Sequence, residues 1–382
     1  MIESLKQTEV CKIITEFDKL AEVAEIIGRE TEIAVDLEMD SLHNYCEKVC
    51  LIQVSTRTNS WLIDPLALKD LSPLAAPFYN PDIVIAMHGA DYDIRSMHRD
   101  FGLEINNLFD TMIASRFIGL TEFGLAALLK NRFGIELNKK FQKADWSKRP
   151  LSGEMCAYAV ADTSDLLPLY DQLKAELIQK GRLTWLEEEC RLVCQARVSE
   201  KDGPIFHSFK GAGKLKGRNL AILEELLQLR DQQAKEMDRP PFKVISGETL
   251  LEAAEKRPRS LSDLSSIKGM TPGQLQRHGE AILMAVSSAM AIPEELLPHI
   301  PRQHKVEPAE GTKERIKQLK DWRQEKSRLL GLEPGVLAPN WLLEGVAEAN
   351  PVKVESLGEI SGMRNWQIEL YGKDLLAELA LV

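Results

Sequence analysis

No stretch of this sequence stays apolar long enough to cross a bilayer. The longest mostly apolar run, Ala281–Ile292, is interrupted by Ser287 and Ser288 and falls well short of the ~18–20 residues a spanning helix needs. The opening residues, MIESLKQTEV, lack a basic region followed by an apolar one. No signal peptide is expected, and a cytoplasmic location without membrane contact is. Cysteine is scarce, at six in 382 residues, which excludes a disulfide framework. Cys46 and Cys50, and Cys190 and Cys194, sit four apart. On a helix the second pair would share a face, as zinc ligands can. No further Cys and no nearby His completes the set, so ordinary thiols are expected. Positive charge is also short, with 48 Lys and Arg against 58 Asp and Glu, a net charge of −10. Any grip on phosphates must therefore be local, because Lys and Arg dominate that binding.

Two segments concentrate the cations. Residues 130–149 hold Lys130, Arg132, Lys139, Lys140, Lys143, Lys148 and Arg149 against Glu136 and Asp145; residues 210–218 hold Lys210, Lys214, Lys216 and Arg218 with no acid. Each reads either as a solvated face or as a phosphate track.

The composition is otherwise that of a soluble globular protein, with 44% hydrophobic and 28% charged residues. A chain of this length holds two or three domains. Ile33–Glu38, Cys50–Ser55 and Ser60–Ile63 read as three closely joined, antiparallel strands. Leu66–Phe78 reads as a helix, Asp82–His88 as a buried strand and Tyr92–Phe101 as a helix. From Thr111 to Lys174 the pattern is mostly helical, with breaks at Gly119, Gly134 and Pro150. A meander followed by β–α alternation predicts an α/β domain with a mixed sheet.

After about residue 200 the strand-like runs vanish. Lys201–Lys216, rich in Gly and Lys, reads as a linker. The remainder is helical and repeats itself at an offset of 93 residues. Arg230 matches Arg323, Pro241 matches Pro334, Pro258 matches Pro351, Gly269 matches Gly362, Gln274 matches Gln367 and Gly279 matches Gly372. Shared Gly and Pro carry most weight, since they mark helix ends and turns. Two copies of one small helical module are predicted, with Pro293, Pro298, Pro301 and Pro308 punctuating the stretch between them.

Three groups of residues can carry chemistry. Asp36 and Glu38, in AVDLE, are two apart on a strand and share a face. They are either solvated acids at a strand end or a pair that needs a cation between them. Asp91 and Asp93, in MHGADYDIR, follow a buried strand, where ligand-binding residues of α/β folds commonly sit. Asp91 also reads as a helix N-cap, and His88 as a histidine satisfied at the strand end. Tyr158 and Asp162, in YAVAD, are four apart on one helix face. They form either a structural hydrogen-bonded pair or part of a site, with Asp165 the nearest rival acid.

The ordered set of an Asp-x-Glu strand, an Asp after a second strand and a Tyr-x-x-x-Asp helix resembles the three motifs of the DEDD exonucleases, in their tyrosine-bearing branch. The flanks CLIQVS, LIDPL, FDTMIASRFIG, GLAALLKNRFG, ADWSKRPLS and YAVADTSDLLPLY look like ribonuclease D. Each helical repeat resembles the HRDC domain, more clearly in the copy containing LRDQQAKEMDRPPFKVISGETL. The resemblance implies an RNase H-like α/β exonuclease domain with a mixed sheet over residues 1–200. Two all-α HRDC domains would follow at 212–295 and 312–382. It implies a 3′→5′ exoribonuclease that removes nucleoside 5′-monophosphates by two-metal-ion hydrolysis. Its metal ligands would be Asp36, Glu38, Asp93 and Asp162, holding two Mg²⁺ or Mn²⁺ ions, with Asp36 bridging and Tyr158 orienting the attacking water. Asp93 is preferred to Asp91 because the family's acid lies five residues after the His. Leu37 and Thr163 depart from the Thr and Val frequent at those positions, and neither removes a ligand. The expected partner is RNA with a free 3′ end, in particular tRNA precursors, handled by a monomer. The basic segments would line the approach path, and Trp146 would stack on a base or pack in the core.

Overall fold

A computed structural model describes residues 13–199, 202–300 and 309–381. The opening residues read for a signal peptide, Lys201, Pro301 and Pro308 lie outside them. The chain divides into two compact units. The first takes the described residues of 1–39, 49–198 and 305–382, and the second those of 40–48 and 199–304.

The first unit is built on a six-stranded sheet in the order β1-β4-β3-β2-β5-β6. Its strands are β1 (Ile13–Ile14), β2 (Glu32–Met39), β3 (Val49–Ser55), β4 (Ser60–Ile63), β5 (Val84–Met87) and β6 (Leu108–Asp110). β2, β3 and β4 form the antiparallel meander predicted from the sequence. β5 runs parallel to β2, and β6 parallel to β5, so the sheet is mixed. β3 is buried at every position because it lies inside the sheet with both faces covered. β1 and β6 went unpredicted, since two or three residues are too few to show a period.

The helices of this part are α1 (Phe17–Ile27), α2 (Ala75–Tyr79), α3 (Asp91–Phe101), α4 (Thr111–Ile118), α5 (Leu125–Phe133), α6 (Gly153–Ser164), α7 (Leu166–Gln179) and α8 (Leu183–Cys194). The helix expected over Leu66–Phe78 shrinks to a 3₁₀ turn at Ser72–Leu74 followed by α2. Residues 134–152 are irregular rather than helical.

The second unit holds α9 (Arg218–Glu236), α10 (Pro241–Val244), α11 (Gly247–Lys256), α12 (Leu261–Ser265) and α13 (Pro272–Ala291). The stretch read as a linker is packed. Its 3₁₀ turns, Ile205–Ser208 and Ala212–Lys214, help bury Phe206, Ala212 and Leu215 in the core of this unit. The carboxylate of Glu224 accepts the N–H groups of Ile205 and Phe206 at 3.1 and 3.0 Å. Apolar residues among the lysines carried that information, and composition hid it.

The later copy of the module belongs to the first unit: α14 (Thr312–Leu330), α15 (Pro334–Leu337), α16 (Asn340–Ala349) and α17 (Asn365–Leu379). The 93-residue offset is kept in three dimensions. Arg257 and Asn350 both end their helices in the left-handed region, at φ 50° and 42°. Arg230 donates to Ile245 O, and Arg323 to Ala338 O. Gln274 donates to Val244 O, and Gln367 to Leu337 O.

This second copy is fixed to the nuclease part. Trp366 stacks on Trp185 with ring centres 4.6 Å apart, and Phe117 meets both rings edge-on. The carboxylate of Glu188 accepts the N–H groups of Asn365 and Trp366 at the start of α17 (2.8 and 3.0 Å). An anion there meets the positive end of the helix. Arg182 ties Phe117 O to Leu330 O, at 2.7 Å each.

Candidate active site

The sheet brings the acids together. The alternation of β2 buries Val35 and Leu37 in the core and leaves Asp36 and Glu38 together on the opposite face. α6 packs across β2, β3 and β4 and delivers Asp162 to that face. Asp36, Glu38 and Asp162 each offer a carboxylate oxygen such that all three lie within 4.8 Å of one another. Asp93 stands outside this triplet, in the first turn of α3 after β5, yet its charge acts on both Asp36 and Glu38. Asp91 is exposed and paired with Arg95 at 2.9 and 3.0 Å.

The electrostatics are those of crowded like charges. Burial, then Asp93, Asp162 and Glu38, push the Asp36 carboxyl well above its ordinary range. Burial, Asp162 and Asp93 push Glu38 up to about 9. Burial and Asp110 raise Asp93 to about 7. Burial raises Asp162 to about 6 against a lowering hydrogen bond from Tyr158. Among the described residues, no Lys or Arg appears among the causes of these shifts. The phenol of Tyr158 is itself driven up, by burial first and then by Asp162, Glu38 and Asp36.

The walls are built from residues outside the three motifs. Asp110, at the end of β6, accepts the N–H groups of Gly89 and Ala90 (3.0 and 2.8 Å) and of Met112 and Ile113 (2.8 and 3.3 Å). It thereby fixes the turn that launches α3 and Asp93. His88 shares a hydrogen bond with Thr111, Nδ1 to Oγ1 at 2.9 Å, and burial lowers its pKa. Thr163 shares a buried hydroxyl hydrogen bond with Ser55 (2.7 Å), which locks α6 to the end of β3. Gln53 lies directly opposite Asp36 in the β2–β3 register, fully buried, and neither amide atom has a hydrogen-bond partner among the described residues. One polar residue inside the apolar run VCLIQVS was the signal for it.

Tyr158 is held by Phe141, edge-on at 5.9 Å, and by Trp146 at 6.0 Å. Trp146 is only 1% exposed, so it packs in the core and cannot stack on a base. The cations of residues 130–149 are largely committed. Arg149 pairs with buried Asp64 at 2.6 and 2.8 Å and also donates to Cys50 O. Lys130 pairs with Glu136, Arg132 with Glu176, Lys140 with Glu154 and Lys148 with Asp145. In the other segment, Arg218 donates to Ala289 O and Ile292 O at the end of α13. The sulfur of Cys190 accepts the N–H of Asp110 at 3.4 Å, and among the described residues no metal-ligating group includes Cys190 or Cys194.

Comparison with known proteins agrees with this architecture. Residues 11–178 match a 3′-5′ exonuclease family, and residues 219–286 and 312–379 each match the HRDC domain. Ribonuclease D of Escherichia coli is 33% identical over 75% of this chain and 77% of its own length. Exosome complex component 10 of Mus musculus is 32% identical over 74% of this chain; the matched region is 33% of that longer protein. The crystal structure of Escherichia coli RNase D, described as an exoribonuclease involved in structured RNA processing, superposes with a TM-score of 0.72 at 28% identity. That likeness covers 97% of this chain and 99% of the other. An acidic, mixed-sheet exonuclease domain followed by a duplicated HRDC module, matched at this identity over this length, places the chain in the ribonuclease D family.

Proposed function

We propose that this protein is a 3′→5′ exoribonuclease that removes nucleoside 5′-monophosphates from RNA 3′ ends, with Asp36, Glu38, Asp93 and Asp162 holding two Mg²⁺ or Mn²⁺ ions. The carrying observation is the convergence of Asp36, Glu38 and Asp162 within 4.8 Å, with no compensating Lys or Arg among the described residues. The donor set fits hard divalent ions, which prefer carboxylate oxygens. When bound, such ions supply an activated water and charge stabilisation at the phosphate.

The chain's own groups do the rest. Asp36, on a central strand of the sheet, is acted on by the three other carboxylates and would hold the ions together with them. Tyr158 keeps its proton at neutral pH, because its pKa is driven above the ordinary value near ~10. It is therefore no base; with its O–H donated to Asp162, its oxygen would orient the attacking water by accepting a hydrogen bond from it. Phe141 and Trp146 set its ring, and the hydrogen bond to Asp162 sets its hydroxyl. Precursors of tRNA and other stable RNAs are the proposed substrates. The structured-RNA role described for the Escherichia coli protein supports this.

The test is a 5′-labelled single-stranded RNA incubated with Mg²⁺, beside Asp162→Asn and an EDTA control. The proposal expects stepwise shortening from the 3′ end by wild type alone, with nucleoside 5′-monophosphates released. Equal shortening by the variant would remove Asp162 from the site. No shortening by wild type with either metal would remove the activity.

A further inference from the structure

The two HRDC copies share a fold but not a face. In the first copy a cavity of about 410 Å³ opens between the end of α9, α10 and the first turns of α13. Arg239, Lys243 and Arg277 line it, all exposed, and none forms an ion pair among the described residues. Two buried polar atoms there lack partners. His278 is 3% exposed with Nδ1 unbonded, and Gln274 donates Nε2–H to Val244 O while its Oε1 has no donor.

The second copy closes the same place. At the 93-residue offset, Arg239, Lys243 and Arg277 become Leu332, Val336 and Leu370. All three pack into the core that this copy shares with the nuclease part. His278 becomes Tyr371, whose hydroxyl donates to Leu337 O at 2.8 Å. Gln274 becomes Gln367, and both its amide atoms are used, on Leu337 O and on the N–H of Arg364. The packed copy gives partners to the Tyr371 hydroxyl and to both amide atoms of Gln367, and carries no cation at the three offset positions. The open copy leaves two polar atoms unsatisfied at the foot of three positive charges. A buried polar atom left without a partner costs free energy that a ligand can relieve.

We propose that this pocket of the first HRDC copy binds the sugar-phosphate backbone of RNA, while the second copy has given up the same face to anchor itself on the nuclease. The inference rests on RNA being the substrate, as proposed above. Arg239, Lys243 and Arg277 contact phosphates, and His278 donates one N–H to a phosphate oxygen. Gln274 Oε1 is an acceptor, which a phosphate cannot satisfy and a ribose 2′-hydroxyl can. A chain with a net charge of −10 needs a local cluster of this kind to hold a polyanion.

The test measures binding of a fluorescein-labelled RNA hairpin with a single-stranded 3′ tail to the full chain in EDTA, across a salt series. Three proteins are compared: wild type, the triple variant Arg239→Gln, Lys243→Gln, Arg277→Gln, and a charge-matched control, Lys256→Gln, Arg259→Gln, Lys268→Gln. The triple variant is expected to bind at least about tenfold more weakly, with the slope of log affinity against log salt reduced by ~2–3. The control is expected to stay within about twofold of wild type. The single variant Arg277→Gln is expected to lose about one unit of slope while its thermal midpoint stays put. Equal weakening in triple variant and control, an unchanged salt slope, or no RNA binding by wild type would overturn the pocket. Shortening of RNA by wild type with charge-insensitive binding sinks the pocket alone. Pocket-dependent binding without any metal-dependent shortening sinks the nuclease reading alone.

Discussion

Two sets of carboxylates lie in one domain, Asp64 and Asp110 buried and the cluster of Asp36, Glu38, Asp93 and Asp162 half-buried, and they have opposite surroundings. Asp110 collects four backbone N–H groups, and Asp64 takes both arms of Arg149 plus the N–H groups of Leu66 and Ala67. Burial raises the pKa values of Asp36, Glu38, Asp93 and Asp162; neighbouring cluster acids add to the rise at Asp36 and Glu38, and Asp110 adds to it at Asp93. The satisfied acids hold loops in place. The cluster acids, with raised pKa values, resist ionisation, a cost that a bound cation would relieve. A buried acid is therefore sorted by what faces it and not by its burial.

That contrast predicts opposite signs for the same kind of mutation. Asp36→Asn and Asp162→Asn should each lower RNA hydrolysis by at least about a thousandfold, roughly 4 kcal/mol of transition-state stabilisation. The same variants should raise metal-free stability at pH 8 by on the order of 1 kcal/mol, because a like charge is removed. Denaturant unfolding in EDTA checks the second effect, and a loss of stability would break the comparison.

Asp110→Ala should go the other way, lowering stability by about 2–4 kcal/mol as four N–H groups lose their acceptor. Its activity should fall as well, because the turn before Asp93 loosens, and circular dichroism melts alongside rate measurements separate the two effects. Unchanged stability would mean that the four hydrogen bonds do not hold the turn.

The pH dependence follows from the sign of the shifts. The cluster carboxyls have folded-state pKa values above their unfolded values near ~4. Their contribution is therefore fully present below pH ~4 and lost as pH rises. The loss runs through about 6 for Asp162, about 7 for Asp93 and about 9 for Glu38. The melting temperature in EDTA should fall between pH 5 and 9, and the rise produced by Mn²⁺ should be larger at pH 8.5 than at pH 5.5, since ligands must be deprotonated to bind. A rise with pH in EDTA would contradict the frustrated-cluster account. The smallest effect is expected from Thr163→Val, which deletes the hydrogen bond to Ser55 (2.7 Å). A loss of about 1 kcal/mol with activity within about twofold would mark that bond as structural, and a large activity loss would make it part of the site.

Much of the site was legible because its spacings are those of regular structure. Asp36 and Glu38 obey the two-residue period of a strand, and Tyr158 and Asp162 the four-residue period of a helix. The module repeat was legible because Gly and Pro fix turns in both copies. Partnership was what the sequence could not display. Local pattern left Asp91 and Asp93 equivalent; Arg95, one turn along α3, pairs with Asp91. Seven cations in residues 130–149 looked like a phosphate track, yet Arg149 is spent on Asp64 from a distant strand end. The pocket lined by Arg239, Lys243 and Arg277 passed unnoticed because its cations are scattered over 39 positions and meet only on folding. Strands β1 and β6 are too short for any periodicity, and they form because β4 and β5 are there to pair with them.

The most direct test of the central claim is a calorimetric titration of Mn²⁺ into the metal-free chain at pH 8, with wild type beside Asp162→Asn. The account predicts two binding equivalents in wild type and loss of at least one in the variant. Absence of Mn²⁺ binding by wild type, or identical isotherms for both proteins, would contradict it.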